Sequence, residues 1–116
     1  MGFTTPGLPA HVANAVQSAE IYFREKVRGR VIERIRTGQP RVSSATWRHL
    51  PRNLAIYKAV HFHHFTLQAI GLVVGLTRQR VKQIVEDVEE LRAECAWTHQ
   101  VLVEYGDILR KEAAQP

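Results

Sequence analysis

The sequence predicts an all-α fold, a helical bundle with long N- and C-terminal helices. Three observations carry this: apolar residues recur every three to four positions over most of the chain, aromatic residues are sparse at 8%, and the 7 glycines and 5 prolines fall mostly at segment ends. The 116 residues, 45% of them hydrophobic, suit one domain with a single core rather than two large domains.

Residues 1–9 carry Thr, Gly and Pro without periodicity and read as a flexible arm, followed by a single helical domain over 10–116. From Ala10 to Arg36, the residues Val12, Val16, Ala19, Phe23, Val27, Val31 and Ile35 make one apolar helical stripe, and Arg24, Arg28 and Arg34 lie on the opposite face. Gly29 is a weak point in this helix, and Gly38 with Pro40 stops it. Ser43 or Ser44 can cap a short helix through Leu50, ended by the restriction that Pro51 places on its predecessor, and Pro51 suits the first turn of a further helix containing Leu54, Tyr57 and Ala59.

Thr66 to Leu91 reads TLQAIGLVVGLTRQRVKQIVEDVEEL, which predicts two helices joined by a tight turn, a helix-turn-helix. Thr66 caps the first helix, whose inner face is Leu67, Ile70, Gly71 and Val74. Gly75 makes the turn, Leu76 tucks into the core, and Thr77 caps a second helix through the amide of Gln79 or Arg80. Val81, Ile84 and Val88 form its buried stripe, and the small Gly71 allows close approach of the pair. Arg78, Gln79, Lys82 and Gln83 fall on the outward face with Arg80 beside them. These are the side chains that donate to guanine O6 and N7 or pair with adenine in the major groove.

Charge is divided along the chain. Residues 1–85 hold 13 Lys and Arg against 3 Asp and Glu, and residues 86–116 hold 3 against 8. A basic body with a pI near 9.9 suits a polyanion, because neutralising phosphates releases condensed counterions. No acidic residue interrupts 61–85.

Thr66, Leu67, Ile70, Gly71, Gly75, Leu76, Thr77, Arg78, Gln79, Arg80, Val81, Lys82, Gln83 and Ile84 together resemble the promoter-reading region four of bacterial sigma factors, over about a fifth of the chain. Ala69 and Val85 stand where that family usually has acidic residues. The resemblance implies base contacts by Arg78, Gln79, Lys82 and Gln83, and phosphate contacts by Thr66, Thr77 and Arg80. The chain is too short for a complete sigma factor, so the expectation is a stand-alone, sequence-specific transcription regulator of double-stranded DNA, from a bacterium or phage. Two alternatives remain: a phage-type protein that binds RNA polymerase or a sigma factor, and a DNA-packaging oligomer like a small terminase subunit.

Beyond the second helix the sequence Val81, Ile84, Val88, Leu91, Cys95, Thr98, Leu102, Tyr105 and Leu109 continues as a seven-residue repeat. It predicts a C-terminal helix over 92–112 that serves as a homodimer seam or packs back onto the Ala10–Arg36 helix. His49, His61, His63 and His64 lack a carboxylate or Cys nearby to complete a metal site, and the lone Cys95 has no base partner in sequence context. There is no phosphate-cradling glycine loop, paired-carboxylate motif or serine elbow, so neither an enzyme nor a cofactor or metal is expected. Trp47 with Arg48 and Arg52 is either a basic-aromatic contact or a core tryptophan with basic neighbours. No signal peptide or membrane span is read, which points to a cytoplasmic, nucleoid-associated protein without a membrane partner.

Overall fold

The computed structural model describes residues 9–38 and 44–114, without the side chains of Ile35 and residues 44–47. Five helices follow one another: α1 (Ala10–Arg36), α2 (Ser44–His61), α3 (Leu67–Val74), α4 (Arg78–Glu94) and α5 (Ala96–Ala114). The described residues contain no strand, and none of their helices is long and apolar enough to cross a membrane. The arm over 1–8, Pro40, Ser43 and the side chains of Ile35, Ser44 and Trp47 lie outside the described residues.

The apolar stripe of α1 is used as its spacing predicts. Val12, Val16, Ala19, Phe23 and Val27 are buried against α2, and Val31 packs partly against the same core. The helix ends where Thr37 turns back, its amide and hydroxyl both donating to the Glu33 carbonyl (3.0 and 2.9 Å), and Gly38 takes a left-handed φ of 72°.

Two boundaries differ from those the sequence predicts. Pro51 does not divide α2, which runs unbroken from Ser44 to His61. An internal proline costs a helix about 3 kcal/mol. Leu50, Leu54, Ala55, Ile56, Tyr57 and Ala59 are all buried around it, and each large side chain contributes roughly 1.5–3 kcal/mol, so packing outweighs the defect.

The second correction concerns the C-terminal repeat, which is not one helix. Cys95 leaves helical geometry (φ −123°, ψ 108°), separates α4 from α5, and moves the start of the last helix from 92 to 96. The repeat is spent inside the chain: Val81, Ile84, Val88, Thr98, Leu102 and Tyr105 are all buried, with Leu91 and Leu109 packed at the edge. Tyr105 meets Tyr22 and Phe23 of α1 at ring-centroid distances of 4.7 and 5.0 Å. Of these residues Tyr105 meets the N-terminal helix, while α4 packs on α2 and α3 and α5 packs on α4 and α2, so the repeat is buried within the chain without forming one continuous seam onto α1.

A polar clamp ties α2, α4 and α5 together. The Tyr57 hydroxyl donates to Glu89 and accepts from Arg92 Nη1 (2.7 Å), while Arg92 Nε donates to His99 Nδ1 (2.9 Å). Burial, reinforced by Glu89, raises the Tyr57 pKa.

Candidate nucleic-acid interface

The α3–α4 pair is fixed by contacts that each depend on a particular residue type. Thr66 is extended (φ −72°, ψ 152°) and its Oγ1 accepts from the Ala69 amide at 3.1 Å. At the other end of α3, Gly75 adopts the left-handed region (φ 75°, ψ 33°), and the amides of Gly75 and Leu76 both donate to the Gly71 carbonyl at 2.9 Å. Thr77 then repeats the cap, its Oγ1 accepting from the Arg80 amide at 3.1 Å.

Gly71 is required by the turn rather than by helix α4. A Cβ built there would lie 2.5 Å from the Leu76 carbonyl oxygen. Ile70 and Gly71 are buried, Leu67, Val74 and Leu76 pack partly on the core, and Val81, Ile84 and Val88 anchor α4 beneath. Val85, at one of the two positions that depart from the sigma-like pattern, also packs partly on this core.

The first two turns of α4 project Arg78, Gln79, Lys82 and Gln83 outward, and all four are exposed, as are Arg80, Thr66 and Thr77. Successive residues of a helix turn by about 100°. Residues 78, 79, 82 and 83 therefore share one face, and Arg80 stands apart toward α2. Each capping threonine uses an oxygen lone pair internally, which leaves its hydroxyl proton for an outside acceptor. Gln83 is less free than its position suggests, since its Nε2 donates to Asp87 Oδ1 at 2.9 Å.

The basic residues of α1 largely find partners within the chain, Lys26 and Arg30 lying over the rings of Tyr22 and Trp97. Along α1, Arg24 pairs with Glu20 (2.8 Å), Arg28 with Glu25 (3.6 Å) and Arg36 with Glu33 (3.1 Å). Among the described residues no carboxylate pairs with Arg78, Arg80 or Lys82. Arg78 and Arg80 also sit in the first turn, at the positive end of the helix dipole, with no acidic residue there. A charge of the wrong sign there costs about 0.3–1 kcal/mol. The arrangement does not serve helix stability, and an anion placed against it would relieve the cost.

In the sequence Arg48 and Arg52 stand out only as neighbours of Trp47. In three dimensions His49, Arg52 and Asn53 of α2 face Arg80 and Asp87 of α4 across a groove of about 420 Å³, floored by Leu50, Val88 and Leu91. Arg52 is held toward this groove by two hydrogen bonds to Asn53 Oδ1 (3.2 and 3.1 Å). The separation of residues 49–53 from residue 80 along the chain hides this signal.

The other chemistry-bearing residues form no second centre. His61 lies against Tyr57 (4.3 Å between ring centroids) and His63 stacks on Phe65 (5.0 Å), where burial, then His64 and Lys58, lower its pKa. Among the described residues no three His, Cys, Asp or Glu side chains converge on a point that could hold a metal. Cys95 is half-buried at the α4–α5 junction. Burial pushes its thiol up, but hydrogen bonds from the Thr98 hydroxyl and the amides of Thr98 and Trp97, with the Arg30 charge, outweigh this and hold it below its usual value.

Comparison of the chain with known protein families, with curated proteins and with solved structures finds no match.

Proposed function

We propose that the chain is a sequence-specific transcription regulator that reads double-stranded DNA with α3 and α4 as a helix-turn-helix, α4 lying in the major groove. The observation that carries this reading is the opening of α4: three cations without carboxylate partners, two of them set against their own helix dipole, on a helix anchored by Val81, Ile84 and Val88. Such an arrangement costs the free protein stability and gains only when phosphates arrive.

In this reading Arg78, Gln79 and Lys82 reach base edges, and Gln83 joins them by exchanging Asp87 for a base. Arg80, Thr77 and Thr66 hold phosphates on either side, and Arg52 and His49 extend the phosphate track onto α2. The likeness to sigma region four supports the same assignment. The packaging alternative loses its main support, because the repeat that suggested a long coiled coil is interrupted at Cys95 and buried within the chain.

The test is the salt dependence of duplex binding. Log affinity falls with log salt by about 0.9 per phosphate neutralised. Replacing Arg80, the phosphate-holding cation of α4, by alanine should therefore weaken binding and flatten the slope by about 0.9, whereas Arg78→Ala and Lys82→Ala should act mainly on the bases they read. An unchanged slope removes α4 from the interface and leaves the polymerase-binding reading.

A further inference from the structure

Helix α1 carries apolar residues on two faces. Its inner face is fully used by the core, yet Ile21 and Ile32 on the outer face are 55% and 58% exposed. Eleven residues make three helical turns with about 20° left over, so the two isoleucines lie along one line. Between them on that line stand Glu25 and Arg28, giving steps of four, three and four, the spacing of a helix–helix seam. Glu25 and Arg28 are themselves well exposed, with side chains 67% and 65% accessible, and pair with each other along the helix at 3.6 Å, from where each can also reach an opposite charge on a facing helix.

The order Ile21, Glu25, Arg28, Ile32 is its own complement when reversed. Both pairs, 21 with 32 and 25 with 28, are centred on the point between Lys26 and Val27. A two-fold axis through that point sets an antiparallel copy of α1 against this one so that Ile21 meets the partner's Ile32 and Glu25 meets the partner's Arg28. An isologous interface demands this self-complementarity. A nucleic acid would be opposed by Glu25 and would gain nothing from the isoleucines.

We propose that the outer face of α1 is a homodimer interface, in which antiparallel α1 helices pair Ile21 with the partner's Ile32 and Glu25 with the partner's Arg28. The occupant is a second copy of this chain. The proposal is independent of DNA binding, and it places the dimer contact on the N-terminal helix instead of the C-terminal repeat. All four side chains point away from the core, so their substitution leaves the fold in place.

Sedimentation equilibrium of the full chain without nucleic acid tests it. The wild-type chain should show a concentration-dependent monomer–dimer equilibrium. Glu25→Arg alone and Arg28→Glu alone each place like charges in register, and each should raise the dimer Kd at least tenfold while circular dichroism stays unchanged. Mixing the two variants in equal amounts should restore the dimer, because the opposing charges are then complementary across the axis. A wild-type chain that remains monomeric throughout overturns the proposal. So does a dimer that tolerates either single reversal, or a mixture that fails to recover association.

Discussion

The two halves of α4 are built on opposite principles. Residues 78–84 contain three cations and no acid, whereas residues 85–94 contain five acids and Arg92 as the lone cation. The helix dipole favours the reverse distribution at both ends. In the second half three of the six charges have internal work: Glu89 and Arg92 join Tyr57 and His99 in the clamp to α2 and α5, and Asp87 accepts from Gln83. In the first half Arg78, Arg80 and Lys82 have no carboxylate partner among the described residues. The contrast teaches where this molecule satisfies itself and where it leaves charge for something else.

Reversing the first half breaks the comparison most severely. Arg78→Glu combined with Arg80→Glu should reduce duplex affinity a hundredfold or more, on the order of one lost base contact and one lost phosphate contact plus repulsion. The same variant should melt no lower than the wild type, and by dipole arithmetic higher by about 0.3–1 kcal/mol per residue. Binding titration and thermal unfolding on one sample check both signs. A variant that is both unstable and inactive would mean that these arginines serve the fold.

The scaffold beneath that half should fail differently. Gly71→Ala drives a methyl group against the Leu76 carbonyl at 2.5 Å, and backbone cannot swing aside as a side chain does. A cost of about 1–3 kcal/mol is expected, read as a lower denaturant midpoint, with affinity falling because the turn no longer sets α4. Gly106→Ala is the contrasting control. The nearest atom to its new Cβ is the flexible Lys58 Nζ at 2.9 Å, so this change should cost little or stabilise α5 through helix propensity.

The smallest effect belongs to the second half. Asp87→Asn removes a negative charge beside the candidate surface and weakens the hold on Gln83. Duplex affinity should rise by a few-fold at low salt, on the order of 1 kcal/mol or less, and the gain should shrink as salt screens the lost repulsion. Titration at two ionic strengths reads it, and a decrease would place Asp87 among the groups that orient the reading surface.

What is legible in the sequence follows the range of the interactions. Gly71, Gly75, Thr66 and Thr77 act over three to five residues, so their type and spacing alone mark the turn and both caps. Val81, Ile84 and Val88 are equally plain, since helical periodicity is local. Pro51 misleads because its local penalty is overridden by burial of Leu50 and Leu54 against α1, a long-range effect. Cys95 misleads for the opposite reason: the three-to-four spacing runs on without a Gly or Pro to mark the break, which the structure places at ψ 108°. The Tyr57–Glu89–Arg92–His99 clamp and the approach of Arg52 to Arg80 join distant segments and leave no trace in the spacing. The outer face of α1 is also hidden, because the strong inner stripe draws attention from Ile21 and Ile32.

The central claim is that the first two turns of α4 read base sequence. Selection from a randomised duplex library at physiological salt tests it most directly, with the wild-type chain compared with the Arg78→Ala, Gln83→Ala double variant. The account predicts an enriched motif for the wild type that is lost or degenerate in the variant. If the wild-type chain enriches no motif, or the variant enriches the same one, α4 does not read sequence and the claim is contradicted.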